Sequence, residues 1–114
     1  MKSYTLKTQF GSYEVLPYEM RYVVNNAIAV QLMDADDFAP FAMLTVNLPD
    51  DEDTRELCGD NAQFVDTNNC PWAIEFLEEN EIAKPTGFCG FSGFCVYPLY
   101  QFDTNKLNIV KVAE

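Results

Sequence analysis

Residues 3 to 9, SYTLKTQ, alternate with a period of two: Tyr4, Leu6 and Thr8 fall on one side, Phe10 continues them, and Thr5, Lys7 and Gln9 fall on the other. Successive side chains of an extended chain point to opposite faces, so this rhythm fits a half-buried strand and not a helix. Gly11-Ser12 interrupts it and Tyr13-Glu14-Val15-Leu16 resumes it, which predicts a hairpin. The run RYVVNNAIAVQLM, from Arg21 to Met33, is rich in β-branched residues. Beyond the turn-like Asp34-Ala35-Asp36-Asp37, the segment Phe38 to Leu48 reads as a further strand that should pair with it antiparallel. Asn25-Asn26 marks a turn or a bulge, because asparagine tolerates left-handed backbone.

Helical spacing shows in one place. After the short strand Phe64-Val65-Asp66, DTNNCPW supplies a helix start, with Asn69 or Cys70 near the cap and Pro71 in the first turn. Trp72, Ala73, Phe76 and Leu77 share one face of a helix running from about Cys70 to Asn80, with Glu75, Glu78 and Glu79 directed elsewhere. Glu78, Glu79 and Glu81 sit at the negative end of its dipole, where charge of that sign is unfavourable. Val96 to Phe102 reads as a strand whose Pro98 favours an edge or an end, and Leu107 to Val112 as a last strand. The expected architecture is a single α+β domain over residues 1–114: an antiparallel sheet of about five or six strands with one principal helix, residues 70–80, packed on one face.

The charge excludes several functions. Eighteen Asp and Glu against seven Lys and Arg give a formal charge of -11, so the field repels phosphate backbones and anionic membranes. Direct nucleic-acid binding is disfavoured, and basic protein surface is what such a charge attracts. The apolar runs Ala27 to Val30 and Phe41 to Leu44 are far shorter than the ~20 residues of a membrane-spanning helix. The opening MKSYTLKTQFGSYEV has no apolar core of a signal peptide, which predicts a cytoplasmic protein. Its densest charge is the segment 50–60, expected to be a solvated loop with at most one helical turn. Asp50, Asp51, Glu52, Asp53, Glu56 and Asp60, together with Glu75, Glu78 and Glu79 on the helix, form the candidate acidic contact surface.

The stretch GFCGFSGFC, residues 87–95, could hold phosphate, metal or a stacked base. A phosphate loop would precede a helix and carry a cation, and base stacking would need an electropositive groove; neither accompanies it. The structural reading is a crossing loop in which Phe88, Phe91 and Phe94 contribute core contacts and Gly87, Gly90 and Gly93 allow its bends. Cys58, Cys70, Cys89 and Cys95 are spaced C-x11-C, C-x18-C and C-x5-C, without a zinc knuckle, and the chain has no histidine. Free thiols, no metal and no cofactor are therefore expected. Cys70 at a helix start could carry a lowered pKa, yet no base or second redox cysteine accompanies it.

FVDTNNCPWAIEFLEENEIAKPTG, followed by SGFCVYPLYQF, resembles a family of small proteins of unknown function encoded on integrative conjugative elements and plasmids of Gram-positive bacteria. The likeness lies in the FVDTNN, PWA, EFLEEN, KPTG and YPLY segments between Phe64 and Phe102, and more loosely in Ala42 to Pro49. It implies a genomic setting and carries no catalytic, cofactor or metal residue. The functional expectation is a non-enzymatic acidic accessory protein of a mobile element that contacts a basic protein, in its narrowest form as a DNA mimic or inhibitor. The alternatives are a small enzyme with Cys70 or Cys89 as nucleophile, and a structural zinc-binding module.

Overall fold

A computed structural model describes residues 1–48 and 56–109. Its described strands are β1 (Tyr4–Thr8), β2 (Gly11–Arg21), β3 (Ile28–Asp34), β4 (Pro40–Met43), β5 (Thr45–Val46), β6 (Ala62–Val65), β7 (Ala83–Ser92), β8 (Cys95–Phe102) and β9 (Asn108–Ile109). An α-helix, α1 (Ala73–Glu79), a 3₁₀ turn at Thr104–Lys106 and a helical run at 56–58 accompany them among the described residues. The first sheet has the order β1-β2-β3-β4, with β9 parallel to β2; the second has the order β5-β6-β8-β7.

The N-terminal expectations hold. β1 and β2 form a hairpin with Leu6 opposite Tyr13, and β3 pairs antiparallel with β4. Asn26 adopts φ 57° in the turn between β2 and β3, where the Ala27 carbonyl accepts from the Tyr22 N–H at 2.9 Å. Asn108 joins β9 to the sheet much as backbone would. Its amide accepts from the Lys2 N–H at 2.8 Å and donates to the carbonyls of Lys2 (2.7 Å) and Pro17 (3.1 Å). The remainder of the expected last strand, from Val110, lies outside the described residues, as do Asp50, Asp51, Glu52 and Asp53.

The expected single sheet with a principal helix does not form; the fold is β-rich, with two sheets and a helix of seven residues. Two local causes account for this. The run from Phe38 to Leu48 is split at Leu44, whose N–H donates to Val30 of the first sheet while its carbonyl accepts from Asp66 beside the second, at 2.9 and 2.8 Å. One sequence run thus serves two sheets. The helix begins late because Asp66 captures the preceding residues: its carboxylate accepts from the Asn69 N–H at 3.1 Å and its side amide at 2.9 Å, and the Asp66 carbonyl accepts from Cys70. Those turns leave Trp72, and neither Asn69 nor Cys70, at the N-cap, without a side-chain cap bond.

GFCGFSGFC is strand, turn and strand, so the expected crossing loop is also corrected. Ser92 faces Cys95 across the two-residue turn Gly93-Phe94, with Gly93 at φ 60°. Thr86, Gly87 and Phe88 bulge opposite Leu99: the Thr86 hydroxyl donates to the Leu99 carbonyl at 2.8 Å and accepts from the Phe88 N–H at 3.1 Å. Phe88, Phe91 and Phe94 are 44, 70 and 108% exposed and make no core. Pro98 lies just beyond the last β6–β8 pair, at Phe64 and Leu99.

The main core fills the space between the sheets. Leu6, Val15, Ile28, Val30 and Leu32 meet Val65, Tyr100 and Phe102, and α1 closes it with Ala73, Phe76 and Leu77. Trp72 packs edge-on to Phe76 and Phe41 at the rim, with ring centroids 6.4 and 6.3 Å away. A second cluster, Leu48, Ala62, Phe64, Tyr97 and Leu99, lies against the opposite face of the second sheet.

Candidate functional site

The end of α1 determines where three of the described carboxylates lie. The Ile82 N–H reaches the Leu77 carbonyl at 2.9 Å and the Glu81 N–H the Glu78 carbonyl at 3.2 Å, the paired bonds of a Schellman cap. Glu81 occupies the left-handed position of that cap at φ 56°, where glycine or asparagine is the usual residue. Leu77 and Ile82, both fully buried, supply the apolar contact across it. The chain then enters β7, and the Asp103 N–H bonds the Ile82 carbonyl at 2.8 Å, bringing the end of β8 alongside. Glu78, Glu81 and Asp103 thereby line one cleft of about 580 Å³, whose remaining walls are Ala83, Lys84, Pro85, Gln101 and Phe102.

This cleft is electronegative for two reasons. Its carboxylates stand at the negative end of the helix dipole, and the last turn of α1 contains no basic residue. Among the described residues the ion pair found is Arg21 with Glu19, 2.8 Å apart, so Lys84 lines the cleft without closing onto a carboxylate. Neighbouring phenols respond: burial, then the Glu78 charge and a hydrogen bond to Glu78, raise the Tyr100 pKa; burial, then Asp103, raise that of Tyr4. Such a site can take a cationic side chain.

Of the expected acidic surface, Glu56, Asp60, Glu75, Glu78 and Glu79 are among the described residues. Glu78 belongs to the cleft and Glu79 stands exposed beside it. Glu75, one helical turn before Glu78 and Glu79, lines a separate groove of about 790 Å³ together with Lys7, Phe10, Tyr13, Phe41 and Trp72 among others. Asp60 is exposed before β6, its carbonyl accepting from the Ile28 N–H at 3.0 Å and Arg21 at 2.8 Å. Glu56 is exposed in a helical run at 56–58. Glu81 and Asp103 complete the cleft although neither belonged to the expected surface. Their signals were in turn chemistry: Leu77 and Ile82 bracket a helix stop, and Asp103-Thr104-Asn105 is a cap in which the Asp103 carboxylate accepts from Asn105 at 3.0 Å.

The cysteines were the other candidate groups. Cys70 is buried, its thiol donates toward the Met43 carbonyl at 3.7 Å, and burial, then the Asp66 charge, pushes its pKa up to about 11. That is the reverse of an activated nucleophile. Cys89 pairs with Pro98 and Cys95 with Ser92, so the pleat of β8 directs Cys89 and Cys95 to opposite faces, where they cannot share a metal. Among the described residues no three Cys, Asp or Glu side chains are placed to hold a metal ion, and no helix is long and apolar enough to cross a membrane.

Two small sheets sharing one core, closed by a seven-residue helix with a carboxylate-lined cleft at its end, define a small β-rich domain. The chain belongs to the family described as Domain of unknown function (DUF4313), whose model matches residues 18–112. No curated protein and no solved structure matches it.

Proposed function

We propose that this chain is a non-enzymatic accessory protein that acts by holding a basic segment of another protein in the cleft formed by Glu78, Glu81 and Asp103. The observation that carries this reading is the placing of Glu81: an acidic side chain occupies the left-handed cap position, at the negative end of a helix, beside two further carboxylates and without an ion pair. Local stability favours glycine there and no negative charge. A charge kept against both preferences fits a surface selected for contact. A net charge of -11 supplies the long-range steering toward a basic partner. The likeness of FVDTNN, KPTG and YPLY to segments of conjugative-element proteins supports a cytoplasmic role in such an element.

In its narrowest form the partner is a DNA-binding protein and the carboxylates compete with phosphates. These residues stand on a helix end and strand ends, the firm frame that mimicry needs. The test is affinity capture with the whole chain, comparing Glu78→Gln, Glu81→Gln, Asp103→Asn with a control set of equal charge change, Glu14→Gln, Asp36→Asn, Asp37→Asn. Binding should fall steeply between about 50 and 200 mM salt and be lost on the first set alone. Equal losses with both sets would reduce the effect to net charge and refute a specific cleft. Displacement of the captured partner by duplex DNA identifies the mimic form.

A further inference from the structure

We infer that two copies of this chain pair through the free edge of β7, joining their second sheets into one continuous sheet. β7 is the outer strand of that sheet, and among the described residues it pairs with β8 alone. The two-residue turn makes Ser92 and Cys95 a hydrogen-bonded pair, and antiparallel pairs alternate. Gly90 therefore bonds to Tyr97, whereas the N–H and C=O of Cys89 and Phe91 point away from β8, toward the open edge. Pro98, opposite Cys89, agrees with this alternation, since it has no N–H to give.

A two-fold axis at Gly90 sets Cys89 of one copy opposite Phe91 of the other, twice, and each such pair exchanges two backbone bonds. The same register brings the two Phe91 rings into diagonal contact on one face, beside Val96. Phe91 and Val96 are 70 and 51% exposed in the single chain, an apolar edge of the kind proteins usually blunt with charge. None is present here: between Lys84 and Asp103 the sequence has no charged residue.

Charge is also what selects a second copy as the occupant. Each chain carries -11, so two copies repel wherever carboxylates face each other, and this hairpin is the long segment where none do. A basic partner, by contrast, is drawn to the acidic cleft at the other end of β7. The contact is short, bounded by the bulge at Thr86 to Phe88 and the turn at Gly93, so the dimer is weak and exchanging.

Sedimentation equilibrium of the whole chain from about 10 to 500 µM should show a monomer–dimer equilibrium whose association rises with salt as self-repulsion is screened. The acidic-cleft contact has the opposite salt response, so the two readings fail separately. Phe91→Lys, which brings like charges together at the axis, should lower the association constant about tenfold or more, and Phe91→Pro, which removes an outward N–H without touching a β8 bond, should do the same. Unchanged circular dichroism establishes that both variants fold; should either fail to fold, Val96→Lys takes its place. A chain that stays monomeric at all salt concentrations, or a dimer indifferent to these substitutions, overturns the proposal and leaves the edge to an extended peptide or a lipid surface.

Discussion

Gly90 tests the packing of the second sheet more sharply than any other residue. A β-carbon added there would lie 2.7 Å from Phe64 Cε1, 3.0 Å from Phe64 Cζ and 3.1 Å from Leu48 Cδ1. The first distance is closer than packed atoms approach, and Phe64, only 3% exposed, has little room to withdraw. Overpacking of this kind costs about 1–3 kcal/mol. Gly90 has no positive φ, so alanine also restricts the unfolded chain and returns roughly 0.5–1 kcal/mol. Gly90→Ala should therefore destabilise by about 1–2 kcal/mol in urea unfolding at dilution. Gly87→Ala and Gly93→Ala meet nothing within 4 Å, and their cost comes from backbone at φ 93° and 60°. Phe64→Leu distinguishes the two mechanisms: it should relieve much of the loss at Gly90 and none at Gly87 or Gly93, a coupling of about 0.5 kcal/mol or more. A neutral or stabilising Gly90→Ala, or a loss that Phe64→Leu leaves untouched, would refute the packing argument.

Cys70 should resist disulfide reagents at neutral pH until the chain unfolds, whereas exposed Cys89 reacts at once, as thiol titration with and without denaturant will read. Because folding raises the Cys70 pKa from near 9 to about 11, the folded state holds the proton longer; stability is unaffected below pH 9 and falls by up to about 2 kcal/mol as pH rises through 11, a slope that Cys70→Ala should reduce. Thr45→Val preserves shape but removes the hydroxyl that accepts from the Val30 N–H at 3.2 Å, so urea unfolding should show a loss of about 1–3 kcal/mol for the buried, unpaired donor. Glu81→Gly should stabilise the chain by about 1 kcal/mol, relieving left-handed strain and the charge at the helix end, while weakening capture of a basic partner. A destabilised Glu81→Gly would show that the side chain supports the fold rather than a contact.

The first hairpin was legible because Tyr4 and Leu6 of β1, and Val15 and Tyr13 opposite them, keep a period of two toward the main core. The division at Leu44 was not, since it depends on bonds to Val30 and Asp66, neither of which is near it in sequence. The glycine–aromatic stretch misled for a more instructive reason. Its alternation is inverted: the small residue Gly90 faces the cluster because Phe64 and Leu48 already fill that space, and the large residue Phe91 faces out. Sequence patterns assign the interior to the larger side chain, and only the partner across the gap shows otherwise. The acidic site was half legible. Charge density pointed to Glu78, while Glu81 and Asp103 joined it through a helix cap and a strand end whose signals concern turns.

The two proposed contacts occupy opposite ends of one strand, and that arrangement couples them. β7 begins beside Glu81 and Asp103 and ends at the uncharged turn, roughly 30 Å away at the rise of an extended strand. A basic segment bound at the acidic end lowers the net charge of each chain, and with it the repulsion that opposes pairing at the other end. Linkage requires the converse: pairing at the edge must tighten binding in the cleft by the same factor. A dimer presents two clefts, far apart, so a partner with two basic segments gains effective concentration from the second and a partner with one does not. Phe91→Lys therefore separates the contributions. It leaves each cleft intact, and it should reduce retention of a two-armed basic partner far more than that of a single basic peptide.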